Sequence, residues 1–175
     1  CIVEKVFLDH DNPVKDGAVN IKNASIQFSN CVFKNNYTQF GGALAIESAN
    51  VVITNNIFYK NESVIYGGAI LSEASSNRII NNTFYKNYCL NYGGGIVLID
   101  PVSEEIQNNI LIWSHYADSH KGICLQFNRD RSTPLFCQAQ KVQYQIQYPI
   151  INPYVDEPNN LVEKALITKA KFWNY

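Results

Sequence analysis

No run of 18 apolar residues occurs in the 175-residue chain, so nothing in it reads as a membrane-spanning helix. Charge is scarce as well. With 14 basic and 15 acidic residues the net charge is -1, which gives no general electrostatic reason to bind nucleic acid or acidic lipid. Methionine is absent, and the sequence opens at Cys1 directly on strand-like text at 2–8, with no signal peptide expected within it. The chain is therefore expected to be a mature product or a fragment of something longer. No pair of cysteines has the CxxC spacing of a zinc site, so no structural metal is expected. A nucleophile elbow and a glycine-rich phosphate loop are missing too, and no cofactor is expected.

What the chain does contain is one text written repeatedly. GGAL at 41–44 returns as GGAI at 67–70 and GGGI at 93–96, and NNIFYKN at 55–61 returns as NNTFYKN at 81–87. Both motifs recur at a spacing of 26 residues, and weaker copies continue the register at 25 upstream (Gly17, NCVFKNN at 30–36) and 28 downstream (Gly122). A fixed period in this range signals a solenoid. The alignment makes columns of Phe33, Phe58, Phe84 and Leu111; of Phe28, Ile53, Ile79 and Ile106; of Asn30, Asn55, Asn81 and Asn108; and of Phe40, Tyr66 and Tyr92. The units are rich in Ile, Val, Phe, Tyr and Asn, with little Leu, Ala or Glu at helical spacing, so they read as short strands divided by turns. Asn suits the corners because it tolerates left-handed backbone. Stacked Asn can also bond from turn to turn.

The pattern resembles the GGA(I/L/V)…FxxN repeats of the polymorphic outer membrane protein family, and more broadly right-handed parallel β-helices of the pectin-lyase-like class. Both motif halves occur together at Gly41…Phe58-Tyr59-Lys60-Asn61 and at Gly67…Phe84-Tyr85-Lys86-Asn87, and the match covers roughly residues 17–123. The resemblance implies a surface-exposed β-helix used for adhesion or display. The expected fold is all-β: a right-handed parallel β-helix of about five or six coils over residues 1–137, followed by a strand and helix appendage over 138–175. Its repeat core would include Phe33, Phe58, Phe84, Ile53 and Ile79.

Asn23, Asn36, Asn61 and Asn81 each open an N-x-S/T triplet. Such triplets arise by composition in an Asn-rich chain; the alternative is N-glycosylation of an extracellular protein. Asn36 and Asn61 hold one repeat position and are expected to raise glycans in a line, whereas Asn81, in the Asn column, is expected to stay bare. The five cysteines are an odd number, so at least one thiol stays free or pairs with another chain. Cys124 and Cys137 are the disulfide candidates, and Cys31, standing in a repeat column, reads as a small buried residue.

After Cys137 the repeat stops. Residues 142–148 alternate as a half-buried strand carrying Tyr144, Ile146 and Tyr148, prolines follow, and 161–171 reads as an amphipathic helix before Phe172 and Trp173. This tail either caps its own coil or docks on a neighbour through those five side chains. Polar side chains gather at Asp100, Glu104 and Glu105, at His115, Asp118 and His120, and at Arg129, Asp130 and Arg131, but no column repeats an acid from coil to coil. Two functions follow. The first is a non-catalytic extracellular structural or adhesive module that associates with itself, with surface or matrix proteins or with glycans. The second is a small carbohydrate-active β-helix, a polysaccharide lyase or glycosidase fragment.

Overall fold

The computed structural model describes residues 1–8 and 16–112, and beyond them the backbone of four further strands. β1 (Ile2–Glu4) precedes the first complete turn, which runs through β2 (Val19–Lys22), β3 (Ser25–Ser29), β4 (Val32–Lys34) and β5 (Tyr37–Phe40). The second turn is β6 (Leu44–Glu47), β7 (Asn50–Thr54), β8 (Ile57–Tyr59) and β9 (Glu62–Tyr66). The third is β10 (Ile70–Glu73), β11 (Ser76–Ile80), β12 (Thr83–Tyr85) and β13 (Tyr88–Cys89). The fourth is β14 (Ile96–Ile99), β15 (Ser103–Gln107), β16 (Ile110–Ile112) and β17 (His115–Tyr116), after which come β18 (Ile123–Gln126), β19 (Phe136–Gln138) and β20 (Ile150–Asn152).

Each strand pairs in parallel with its counterpart one turn away, which builds four sheets. Sheet 1 holds β2, β6, β10, β14 and β18; sheet 2 holds β3, β7, β11 and β15; sheet 3 holds β1, β4, β8, β12, β16 and β20; sheet 4 holds β5, β9, β13 and β17. β19 closes sheet 1 by pairing antiparallel with β18. The result is a parallel β-solenoid of about four turns, with no helix among the described residues. The five or six coils expected from the sequence are not all seen, and the expected helix at 161–171 lies outside the described residues. So do Tyr144, Ile146, Tyr148, Phe172 and Trp173. The expected boundary after residue 137 falls inside β19, and β20, from beyond it, adds to sheet 3 beside β16.

The corners explain why this sequence winds as it does. Among the described residues each turn between sheets is made by one residue in left-handed backbone. From sheet 1 to sheet 2 these are Asn23, Ser48, Ala74 and Asp100; from sheet 2 to sheet 3, Asn30, Asn55, Asn81 and Asn108; from sheet 3 to sheet 4, Asn35, Lys60 and Lys86. Gly41, Gly67 and Gly93, with φ of 57°, 63° and 64°, turn sheet 4 back to sheet 1. The second glycine of the first two pairs is needed for a different reason. A Cβ on Gly42 would strike the carbonyl oxygen of Gly68, and one on Gly68 the carbonyl oxygen of Gly94, so the turns approach here too closely for any side chain.

Inside, like residues stack on like. The Phe33, Phe58 and Phe84 side chains are fully buried on sheet 3, with ring centroids 4.9 and 4.7 Å apart and planes within 5° and 4° of parallel. Ile53, Ile79 and Ile106 line sheet 2, and Leu44, Ile70 and Ile96 line sheet 1. A second cluster, Phe40, Tyr66, Leu71, Val97 and Ile99, packs apart from this core.

Candidate functional site

Two ladders of asparagine climb the corners on either side of sheet 3. At the first, Asn56, Asn82 and Asn109 are buried one above another. Asn56 Nδ2 donates to Asn82 Oδ1 at 3.0 Å and to the Phe28 carbonyl at 3.0 Å, and Asn82 repeats this with Asn109 at 3.0 Å and the Ile53 carbonyl at 2.8 Å. At the second, Asn36 Nδ2 donates to Asn61 Oδ1 at 2.9 Å, while Asn61 Nδ2 donates to Asn87 Oδ1 at 3.0 Å and to the Phe33 carbonyl at 2.9 Å. Each ladder therefore satisfies main-chain groups that a sharp corner leaves without strand partners. Within each Asn-Asn pair it is the second residue that enters the ladder. The first takes the left-handed corner, and Asn81 is exposed there.

This placement reverses the expectation for the N-x-S/T triplets. Asn36 and Asn61, expected to raise glycans, are buried at 1% and 0% exposure, and the two Nδ2 hydrogens of each are spent on carbonyl and ladder oxygens. A sugar on either Nδ2 would replace one of those hydrogens and has no room within the coil. Asn23 and Asn81 are exposed instead.

Cys31 also differs from expectation. It is joined to Cys1 by a disulfide rather than sitting as a small buried thiol. Its position supplies the reason. Cys31 stands one rung below Asn56, to whose Oδ1 it donates its main-chain N–H at 2.9 Å. β1 pairs with β4 at Ile2 and Val32, which brings the residues before them, Cys1 and Cys31, side by side. The bridge ties β1 to the corner between β3 and β4. Among the described residues Cys89 is a free thiol, and it is fully buried. The β18–β19 register places Cys124 opposite Cys137 in the backbone.

The acidic residues do not converge. Glu104 and Glu105 are neighbours on β15 and so face opposite sides of sheet 2. Glu105 lies outside and pairs with Arg78 Nε at 2.5 Å. Glu104 follows Val51 and Asn77 in an inward column. Its Oε1 accepts from Asn77 Nδ2 at 2.6 Å, the same nitrogen donates to Ser72 Oγ at 2.7 Å, and Glu104 Oε2 is buried with no partner. Asp100 stands at a corner of the same turn. His115 lies in β17, and Asp118, His120, Arg129, Asp130 and Arg131 fall outside the described residues. Among the described residues no three His, Cys, Asp or Glu gather to hold a metal. The inward acid was missed in the sequence, although the 26- and 27-residue steps from Val51 to Asn77 to Glu104 carry the signal.

Burial pushes the Glu104 carboxyl up to about 8 from 4.5, against the lowering pull of the Asn77 hydrogen bond. The folded protein therefore keeps this proton at neutral pH while the unfolded chain gives it up. Stability contributed by the neutral form is complete below pH 4.5 and is lost as pH climbs towards 8, by as much as about 5 kcal/mol. Urea midpoints measured from pH 4.5 to 8.5 check this: Glu104→Gln is expected to remove that part of the slope, and a variant retaining the wild-type slope would show that Glu104 is not its source.

The outer face of sheet 2 forms a shallow groove of 610 Å³, with Gln27, Val52, Arg78 and Glu105 along it and Ser76 and Ser103 at its edge. Parallel strands wound into four sheets, with asparagine ladders at the corners, define a β-solenoid. A family model described as the right handed beta helix region matches residues 7–141, more than half of the chain, and the protein belongs to that family. No curated protein and no solved structure matches the chain. Among the described residues no helix is long and apolar enough to cross a membrane.

Proposed function

We propose that this chain is a non-catalytic structural or adhesive module of the extracellular space, built on repeats like those of the polymorphic outer membrane proteins. The observation that carries the reading is the Cys1–Cys31 disulfide between β1 and the corner before β4, because such bridges persist in oxidising compartments. The backbone pairing of Cys124 with Cys137 supports a second bridge. The separation of Glu104 from Glu105 by the thickness of a sheet supports the absence of acid catalysis, which needs carboxyl groups converging on one substrate. In this reading the chain binds copies of itself or other surface proteins, with Tyr144, Ile146, Tyr148, Phe172 and Trp173 of the C-terminal segment as the docking side chains.

Two measurements test the proposal. Alkylation of unreduced native material, read by mass, is expected to leave Cys1 and Cys31 unlabelled; label on both places the protein in a reducing compartment. Sedimentation of the full chain is expected to show self-association that weakens on removing residues 153–175, which carry Phe172 and Trp173. A monomeric full chain eliminates self-assembly.

A further inference from the structure

We infer that Asn23 and Asn81 are the N-glycan acceptors of this chain and that Asn36 and Asn61 stay bare in every folded molecule. This deepens the extracellular reading above and rests on it for the native protein. All four asparagines carry the same triplet, so the distinction comes entirely from where the coil puts them. Asn23 joins β2 to β3, and Asn81 joins β11 to β12. Both residues are exposed, with φ of 52° and 57°. Their main-chain N–H groups donate to Glu47 and Gln107 carbonyls at 3.1 Å each, so backbone needs are met without the side chains. Neither carboxamide makes a hydrogen bond among the described residues.

Transfer from a lipid-pyrophosphate-linked oligosaccharide forms a bond from Nδ2 to the anomeric carbon. The sugar–phosphate C–O bond breaks, Nδ2 loses one proton and the lipid pyrophosphate departs. At Asn23 and Asn81 the lost hydrogen has no structural use. At Asn61 it is one of the two that hold Phe33 O and Asn87 Oδ1, and at Asn36 one of the two that hold Val3 O and Asn61 Oδ1. Modification there stops the second ladder from forming, so a molecule carrying it does not reach the folded population. The two permitted sites occupy opposite margins of sheet 2, one where the first turn enters it and one where the third turn leaves it. Branched sugars there flank the 610 Å³ groove and keep large partners off that face.

The test is secretion of the full chain from a host that glycosylates N-x-S/T triplets, with site occupancy mapped by mass spectrometry in the folded, protease-resistant fraction and in the retained fraction. Glycans are expected at Asn23 and Asn81 in the folded fraction, with Asn36 and Asn61 modified only in the retained one. Asn23→Gln and Asn81→Gln together are expected to remove all sugar mass from the folded protein. A glycan on Asn36 or Asn61 in folded protein, or Asn23 and Asn81 both bare, overturns the inference. Because the host imposes secretion, this outcome is independent of where the native protein resides, which alkylation of native material decides.

Discussion

Substituting Phe58 by alanine is expected to lower the free energy of unfolding by about 3–5 kcal/mol. Phe58 is the middle ring of three, fully buried, with Phe33 at 4.9 Å on one side and Phe84 at 4.7 Å on the other. Deleting it removes one large side chain from the core and both ring–ring contacts. The cavity cannot close by collapse, because parallel hydrogen bonding holds successive turns at about 4.8 Å in all four sheets. A globular core relaxes around a lost side chain more easily than a stack with a fixed rise. Phe58→Leu serves as the comparison: Leu111 already occupies this column beside Phe84, so that variant is expected to lose less than about 2 kcal/mol. Equilibrium urea unfolding measures both. A loss below about 1 kcal/mol for the alanine variant would falsify the stacked-ring account.

Asn61→Ala is expected to cost about as much, roughly 3–6 kcal/mol, for a different reason. Asn61 is fully buried and links three turns: it accepts from Asn36 below, donates to Asn87 above and donates to the Phe33 carbonyl. Alanine removes all of these and leaves the partners buried without replacements, at about 1–3 kcal/mol for each orphaned group. Asn23→Gly is the matched control, since Asn23 is an exposed corner residue at φ 52° where glycine fits without strain. It is expected to change stability by less than about 0.5 kcal/mol. If the two substitutions cost the same, the ladder contributes nothing beyond its corner geometry. Hydrogen exchange localises the effect: the Asn36 main-chain N–H, which points at Asn61 Oδ1 at 3.4 Å, should lose its protection first.

The sequence by itself determined the period, the strand character and the register. Phe58 over Phe84 and Ile53 over Ile79 are pairings that two in-phase motifs specify, because a solenoid returns every equivalent residue to the same surroundings one turn later. The glycine pairs and the Asn-rich corners were legible for the same reason. Only the tertiary structure decided which side of the wall each corner residue faces. At an Asn-Asn corner the two residues are chemically identical, and a left-handed φ at the first turns the second inward. Asn81 therefore lies in solvent and Asn82 in the ladder, a difference that no composition or spacing records. The same step put Asn36 and Asn61 inside the coil, although their triplets suggested sugar-bearing surface. Cys31 occupies a ladder position without an amide, and its bridge to Cys1 follows from the pairing of Ile2 with Val32. Glu104 in the column of Val51 is a departure at the fourth turn, and its burial depends on packing around it rather than on the repeat text.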